Sequence, residues 1–147
     1  MRIFIAGFGT VGQGFAEVLE SREMFFKKRY GENVKIVGVM DSKTYIIDPE
    51  GLAPMDLVSR KMETKRVGTK TYKDALEILD SVDYDILVEV SPTNYETGGQ
   101  GLKNVVHALE HGKDVITTNK GPLATKFGEL IALARRNRCK LKFEGSV

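Results

Sequence analysis

At 147 residues the chain is long enough to form one domain with a sizeable hydrophobic core. Its composition, 41% hydrophobic and 29% charged residues, is that of an ordinary globular protein, and a net charge of only +2 gives no reason to expect binding to nucleic acid or to a membrane surface. The single cysteine, Cys139, cannot form an intramolecular disulfide, and no apolar run approaches the length of a membrane span. We therefore expect a cytoplasmic protein.

The chain begins with a strand candidate, residues 2–6, that runs directly into glycines. Apolar residues then recur at helical spacing, which predicts a helix that continues to Tyr30, where Gly31 ends it. A second strand is predicted over residues 34–40. The apolar positions that define the first helix are Val11, Phe15, Val18 and Leu19.

Proline and glycine are frequent in residues 42–54, which are therefore predicted to be a loop, and residues 55–65 are predicted to be a short helix. Thr71 is predicted to be the N-cap of the next helix, which runs through Leu79. The later strands are predicted over residues 84–90, 115–117 and 140–143, and the later helices over residues 102–111 and 127–137.

Short apolar strands separated by helices are typical of a parallel sheet built from right-handed βαβ units. The predicted fold class is therefore α/β, a single Rossmann-type domain over residues 1–147 with a doubly wound parallel sheet.

The segment IAGFGTVGQG, between the first strand and the first helix, has G-x-G-x-x-G spacing at Gly7, Gly9 and Gly12. In dinucleotide-binding domains the first glycine allows a tight turn, the second lets the pyrophosphate approach the backbone, and the third lets helix and strand pack closely. The helix N-terminus adds free N–H groups and a partial positive charge. The motif predicts a dinucleotide site, the alternative being a tight turn without a ligand, and Gly14 is expected to allow close packing on the sheet.

Asp41 ends the second strand, where an acidic side chain can accept hydrogen bonds from the adenine ribose. This placement favours NAD. Lys43, two residues later, could instead pair with the 2′-phosphate of NADP, so both coenzymes remain open.

Two histidines and the cysteine offer other chemistry. His107 and His111, in the segment HALEH, share one helix face in a pattern found in some zinc peptidases. No other helix carries an obvious third ligand, so we prefer to interpret them as a solvated helix end. Cys139 has no evident base beside it, and a packed thiol is a better interpretation than a nucleophile.

Three predicted strand ends carry polar side chains and glycines, at residues 7–12, 91–99 and 117–120. In open parallel sheets, ligands bind beyond the carboxyl ends of the strands, near the switch in strand order. We therefore expect Lys120 to lie near a nicotinamide and a small polar substrate, rather than to be an ordinary surface charge.

Four segments together resemble the N-terminal coenzyme domain of homoserine dehydrogenases: GFGTVGQGF, LVEVSPTNYETG, GKDVITTNKGPLA and FEGSV. The similarity extends over residues 2–147, and the last two segments are specific to that family rather than to dinucleotide folds at large. The resemblance implies oxidation of homoserine to aspartate semialdehyde, or the reverse, with NAD or NADP, in the synthesis of threonine, methionine and isoleucine.

The resemblance also implies roles for individual residues. The backbone or side chains of Phe8, Thr10 and Val11 would line the pyrophosphate. Those of Ser91, Pro92 and Thr93 would lie beside the nicotinamide ribose and ring.

Lys120 would stand at the substrate side of the nicotinamide, where its ammonium group binds the substrate oxygen or assists proton transfer. Glu144 and Val147 match the start of a site for a monovalent cation, Na⁺ or K⁺, that the family builds from backbone carbonyls. Members of the family are longer than this chain, and their further domain binds substrate, forms a homodimer and carries further acid/base residues. The resemblance therefore implies a coenzyme-binding part that is inactive alone.

Two other classes of protein share some of these features. A nucleotide-sensing regulatory module, such as those that gate transporters, would have the glycine motif and Asp41 but no need of Lys120. A semialdehyde dehydrogenase with a covalent cysteine would need a well-placed thiol, for which Cys139 is a poor candidate.

Overall fold

The computed structural model describes residues 1–145, in which strands and helices alternate except that α2 follows α1 and β3 follows β2. The strands are β1 (Arg2–Ala6), β2 (Lys35–Met40), β3 (Thr44–Leu52), β4 (Lys70–Thr71), β5 (Ile86–Glu89), β6 (Asp114–Thr117) and β7 (Leu141–Phe143). The helices are α1 (Thr10–Ser21), α2 (Glu23–Tyr30), α3 (Pro54–Thr64), α4 (Ala75–Asp80), α5 (Gly99–Glu110) and α6 (Lys120–Arg136).

The strands form one sheet in the order β4-β3-β2-β1-β5-β6-β7. The five strands from β2 to β7 in that order are parallel, whereas β3 and β4 are antiparallel and extend one edge. The order reverses between β1 and β5, because the chain moves from β1 to one side and returns to the other. The predicted doubly wound sheet is confirmed, with the two antiparallel strands as an addition.

Side chains of β1 alternate between two hydrophobic cores, one on each face of the sheet. Ile3 and Ile5 belong to the core covered by α1 and α3, and Phe4 and Ala6 to the core covered by α4, α5 and α6. The central strand is thus buried on both faces, as parallel sheets require. Among residues 1–145, no helix combines the length and the apolar character needed to cross a membrane.

The prediction of a loop over residues 42–54 is wrong, because most of this segment forms β3. The pairing of β2 with β3 shifts register between Ile36 and Gly38, so that the proline and glycine of residues 48–51 fall in an irregular stretch of the strand. Proline and glycine are tolerated at such bulges. The loop-forming residues therefore mark the irregularity rather than the absence of a strand.

Several predicted helix ends also differ from the structure. The first helix breaks at Arg22 into α1 and α2. Thr71 lies in β4, and the N-cap of α4 is Asp74, whose carboxylate accepts a hydrogen bond from the backbone N–H of Leu76 at 2.9 Å. Helix α5 begins at residue 99, earlier than predicted. Helix α6 has a kink at Lys126, where the backbone is not helical, and its second part begins where the helix over residues 127–137 was predicted.

Gly38 in β2 is predicted not to tolerate a larger side chain. A Cβ atom there would lie 2.4 Å from the ring of Phe4, which is fully buried and packs 5.7 Å, between ring centroids, from Tyr84. The Phe4 ring therefore has no room to swing away. We expect Gly38→Ala to lower the free energy of unfolding by about 2 kcal/mol in urea denaturation.

Gly14→Ala is the matched control. No atom lies within 4 Å of a Cβ placed on Gly14, so the close packing predicted there is wrong. Alanine in this helix interior is expected to raise the free energy of unfolding by up to about 1 kcal/mol. Equal effects of the two substitutions would contradict this account of the core.

Candidate functional site

A cleft of about 740 Å³ lies beyond the carboxyl ends of β1, β2 and β5, where the strand order reverses. Its position and size are typical of small-molecule sites in open α/β sheets. Residues 7–11, Asp41 and residues 91–93 line it, so most of the site residues predicted from the sequence come together.

The glycine turn forms one wall of this cleft. Gly7 has a positive φ of 101°, and a Cβ on it would lie 2.5 Å from the backbone nitrogen of Ser91. A Cβ on Gly12 would lie 2.3 Å from the carbonyl oxygen of Gly7, so Gly12 packs under the turn rather than lining the cleft. A Cβ on Gly9 would meet no atom within 4 Å, which leaves open space next to the backbone.

The N-terminus of α1 faces this space without a competing anion. Its N-cap, Gly9, has no side chain to accept a hydrogen bond, and the first turn contains no acidic residue. First-turn N–H groups in this condition remain available to a phosphate. Val11 and Val18, two of the apolar positions that predicted this helix, are 51% and 53% exposed, because Gly12, Ala16 and Leu19 are the buried residues of α1.

The carboxylate of Asp41 is saturated by donors from the protein itself. Its Oδ1 accepts hydrogen bonds from the backbone N–H of Lys43 at 2.9 Å and of Thr44 at 2.7 Å, and from the Thr44 hydroxyl at 3.2 Å. Its Oδ2 accepts from the ammonium of Lys61 at 2.7 Å and from the backbone N–H of Val67 at 2.8 Å. Burial acts to raise the pKa of Asp41, but Lys61 and the backbone donors outweigh it and lower the pKa to about 2.

Lys61, at the last turns of α3, brings a positive charge to the cleft wall next to Asp41. The hydrogen bond from the Tyr72 hydroxyl to the backbone oxygen of Asp41 fixes the same corner. Ribose hydroxyls would have to displace one of these internal donors to bind the Asp41 carboxylate. The corner therefore differs from the open carboxylate that the sequence suggested.

Glu89, the last residue of β5, is fully buried behind the opposite wall of the cleft. Its Oε1 accepts hydrogen bonds from the backbone N–H of Ser91 at 2.9 Å, from the Ser91 hydroxyl and from the Asn119 amide at 3.4 Å, and its Oε2 accepts from the Asn104 amide at 2.8 Å. Burial raises the pKa of Glu89, although each of these hydrogen bonds opposes the rise. The carboxyl group joins the loop after β5 to α5 and to the segment before α6.

Lys120 is the first residue of α6, where the sequence predicted a loop. Asn119 caps this helix by accepting a hydrogen bond from the backbone N–H of Gly121 at 3.1 Å. The position of Lys120 is therefore fixed through Asn119, which also contacts Glu89. Lys120 itself is half-buried beside the cleft wall formed by Thr118 and is not among the residues that line the cleft.

Other predicted residues lie away from the cleft or outside the described part of the chain. Lys43 is exposed and contributes only its backbone N–H to Asp41. Glu144 is exposed after β7, and Val147 lies beyond residue 145, outside the described residues. Cys139 is half-buried, and burial, with the nearby charge of Asp114, raises the pKa of its thiol, which does not suit a nucleophile.

Sequence reasoning missed Lys61, Glu89 and Asn104. Lys61 lies in α3, a helix that the sequence predicted. Its position near the end of β2 could not be predicted, because β3 was predicted to be a loop. For Glu89 a signal existed, because an acidic residue within the apolar run ILVEV must find buried donors.

The stability contributed by Asp41 is predicted to be lost in acid. Because its pKa in the folded state is lowered, this contribution is complete above the unfolded pKa of 3.8 and disappears as the pH falls through about 2. At neutral pH the shift corresponds to about 2 kcal/mol. The difference in free energy of unfolding between the wild type and Asp41→Asn should therefore shrink from pH 5 to pH 2, and a constant difference would contradict the assignment.

Glu89→Ala is predicted to lower the free energy of unfolding by about 3 kcal/mol, because it leaves a cavity and several buried donors without an acceptor. Glu89→Gln is the matched control. Its amide can be accommodated if the side chains of Asn104 and Gln100, which are hydrogen-bonded to each other at 2.9 Å, reverse their amide groups. In thermal denaturation, Glu89→Gln should have a clearly higher Tm than Glu89→Ala. A similar loss of Tm in both variants would refute this description of the network.

Comparison with known sequences agrees with the geometry of the cleft. Residues 7–144 match the family model for the NAD-binding domain of homoserine dehydrogenase. The whole chain is 35% identical to the homoserine dehydrogenase of Methanocaldococcus jannaschii, of which it covers 45%. Over 99% of the chain it is 34% identical to the NAD(+)-dependent homoserine dehydrogenase of Pseudomonas canavaninivorans, of which it covers 43%. The chain thus spans less than half the length of these curated relatives.

Solved structures give the same result. A structure described as a homoserine dehydrogenase of Archaeoglobus fulgidus superposes with a TM-score of 0.86 and 37% identity, over 100% of this chain and 43% of the other. A hyperthermophilic archaeal homoserine dehydrogenase in complex with NADPH superposes with a TM-score of 0.81 and 25% identity, over 99% of this chain and 44% of the other. With its glycine turn and its cleft at the switch in strand order, the chain belongs to the homoserine dehydrogenase family, as the NAD-binding domain.

Proposed function

We propose that this chain binds NAD(P) for an enzyme that interconverts L-homoserine and L-aspartate 4-semialdehyde by hydride transfer. The observation that carries the proposal is the cleft itself, which joins an uncapped helix N-terminus to a polar wall held by the buried Glu89 network. Such a cleft suits a long ligand with a diphosphate at one wall and a polar ring at the other.

Each wall has its own task in the proposed reaction. The first turn of α1 binds the coenzyme diphosphate through backbone N–H groups, in the space left open at Gly9. The loop of residues 91–93 borders the nicotinamide end, and Glu89 keeps that loop in place through Ser91. The coenzyme supplies the hydride acceptor, and the protein supplies orientation and charge.

Lys120 acts at the substrate. In the proposed reaction its ammonium group stabilises the oxygen of homoserine as negative charge develops there during hydride transfer. The support for this role is its position at the start of α6, which Asn119 and the Glu89 network hold next to the nicotinamide wall.

The residues around Asp41 determine the choice between NAD and NADP in this proposal. Asp41 alone favours NAD, but all its hydrogen-bonding capacity is used inside the protein, and the ammonium of Lys61 lies beside it at the cleft wall. A lysine in that place suits a 2′-phosphate. We therefore infer that both coenzymes bind and that Lys61 shifts the preference towards NADP.

This preference is tested by calorimetric titration of Lys61→Gln with both coenzymes. We expect the affinity for NADP⁺ to fall roughly 10-fold, because one charged phosphate contact is lost, and that for NAD⁺ to stay the same or rise. Lys65→Gln is the matched control, since Lys65 is exposed and its ammonium group donates to the Met62 carbonyl, away from Asp41. The backbone carbonyl of Lys65, which accepts a hydrogen bond from Lys61 at 3.0 Å, is unchanged in this variant. An equal loss of affinity for NAD⁺ and NADP⁺ in Lys61→Gln would contradict the role of Lys61 in selecting the coenzyme.

The isolated chain is predicted to bind coenzyme without oxidising homoserine, because the relatives are more than twice as long as the part it matches. Homoserine-dependent reduction of NAD(P)⁺ by the isolated chain would contradict this expectation. In an enzyme of the relatives' full length we expect substrate binding, homodimer formation and a monovalent cation near Glu144 and Val147. A cytoplasmic location likewise stays a prediction.

The reaction is tested by joining residues 1–147 to the remainder of the Methanocaldococcus jannaschii relative. We expect homoserine-dependent reduction of NADP⁺, and a loss of roughly 100-fold in kcat for Lys120→Ala. Lys126→Ala is the control, because Lys126 is exposed and paired with Glu129 at 2.8 Å. A folded chimera that binds coenzyme and shows no activity would favour the alternative, a nucleotide-sensing module.

A further inference from the structure

Three side chains of types that can bind a metal ion lie at the amino ends of the parallel strands, at the opposite end of the sheet from the coenzyme cleft. Asp80 is the last residue of α4, and His107 and His111 lie in the last turn and at the C-cap of α5. One ligand atom from each of the three lies within 4.8 Å of the others. The third ligand that the sequence did not reveal is therefore Asp80, brought to the histidines by the packing of α4 against α5.

The hydrogen bond of the His111 imidazole ring favours metal binding. The Nδ1 atom of His111 lies 2.8 Å from the carbonyl oxygen of His107, so Nδ1–H donates to that oxygen and the lone pair of Nε2 is left for a ligand. Metal-binding histidines commonly have this arrangement, because the bond to the carbonyl fixes the tautomer and the ring. The rings of His107 and His111 lie 4.1 Å apart, between centroids, on one helix face.

The spacing of the three groups can reach the geometry of a bound ion. Nε2 of His107 lies 2.7 Å from Oδ1 of Asp80. In a tetrahedral zinc site the ligand atoms lie roughly 3.3 Å from one another, which follows from metal–ligand distances of about 2.0 Å. The side chain of Asp80 is 58% exposed, so a small rotation can open this contact to admit an ion.

The local charge also favours a cation. The C-terminal ends of α4 and α5 meet here, and each contributes partial negative charge in addition to the Asp80 carboxylate. The one ammonium group that lines the same hollow, Lys113 among the described residues, pairs with Asp83 at 2.9 Å. Asp83 in turn pairs with Arg2 at 2.7 Å, so these charges are already matched.

We propose that Asp80, His107 and His111 bind one divalent transition-metal ion of the Zn²⁺ class, which clamps the C-terminal ends of α4 and α5 together. Two imidazoles and one carboxylate are a ligand set that Zn²⁺ accepts readily, and water completes the coordination at this exposed position. The simpler interpretation is an ion pair between His107 and Asp80, which gives no part to His111. The site shares no residue with the coenzyme cleft, so its test is independent of the proposed function.

The chain offers an unusually clean background for this test, because it contains only two histidines and one cysteine. The untagged protein is titrated with ZnCl₂ by calorimetry, and its thermal denaturation is followed with and without Zn²⁺. We expect one saturable site with a micromolar dissociation constant and a higher Tm in the presence of Zn²⁺. The visible spectrum with Co²⁺ should show the d–d bands of a site with nitrogen ligands.

Three variants decide the assignment. His111→Ala, at an exposed position, should fold normally yet weaken Zn²⁺ binding at least 10-fold and abolish the rise in Tm. Asp80→Asn should weaken binding several-fold, whereas Cys139→Ser should leave it unchanged. Absence of saturable binding, or binding that persists unchanged in His111→Ala, would overturn the site. Unchanged affinity in Asp80→Asn would overturn the clamp between α4 and α5.

Discussion

The carboxyl group of Glu89 is the point on which the arrangement of the coenzyme cleft depends. Its donors come from three separate segments, the loop after β5 through Ser91, helix α5 through Asn104, and the cap of α6 through Asn119. Because the group is fully buried, any of these segments that moved away would leave a polar atom without a partner. One side chain therefore fixes the wall of the cleft at residues 91–93 and, through Asn119, the start of the helix that carries Lys120.

Asp41 and Glu89, both buried carboxyl groups at strand ends, have opposite electrostatic environments. The ammonium of Lys61 and the surrounding N–H groups lower the pKa of Asp41, whereas Glu89 has only neutral donors and burial raises its pKa. The end of the cleft at Asp41 thus contains a neutralised ion pair, and the end at residues 91–93 lies against a carboxyl group shielded from water. This difference suits the proposed orientation of NAD(P), in which the adenosine lies at the Asp41 end, since only the adenosine end of the coenzyme differs between NAD and NADP by a phosphate.

Local sequence patterns were sufficient for the parts of the site that one segment forms alone. The glycine turn, the strand that precedes it and the polar loop of residues 91–93 were predicted from neighbouring residues, because turn geometry and helix starts are local properties. The partners of buried groups could not be predicted in this way. Lys61 is 20 positions from Asp41 in the sequence, and its approach depends on β3. This strand was not predicted, because it contains proline and glycine. The proximity of Asp80 to His107 and His111 likewise depends on the packing of α4 against α5, which the sequence did not show.

The most direct test of the coenzyme cleft is a calorimetric titration with NADP⁺ of the wild-type chain and of Gly9→Val. The backbone of Gly9 has φ −82°, which valine can adopt, and no atom lies within 4 Å of its Cβ position, so the variant should fold. Its side chain would fill the space assigned to the diphosphate. We predict saturable binding with one site in the wild type and a loss of at least 10-fold in affinity in a folded Gly9→Val. Equal affinity in the two proteins, or no binding by the wild type, would contradict the assignment of the cleft.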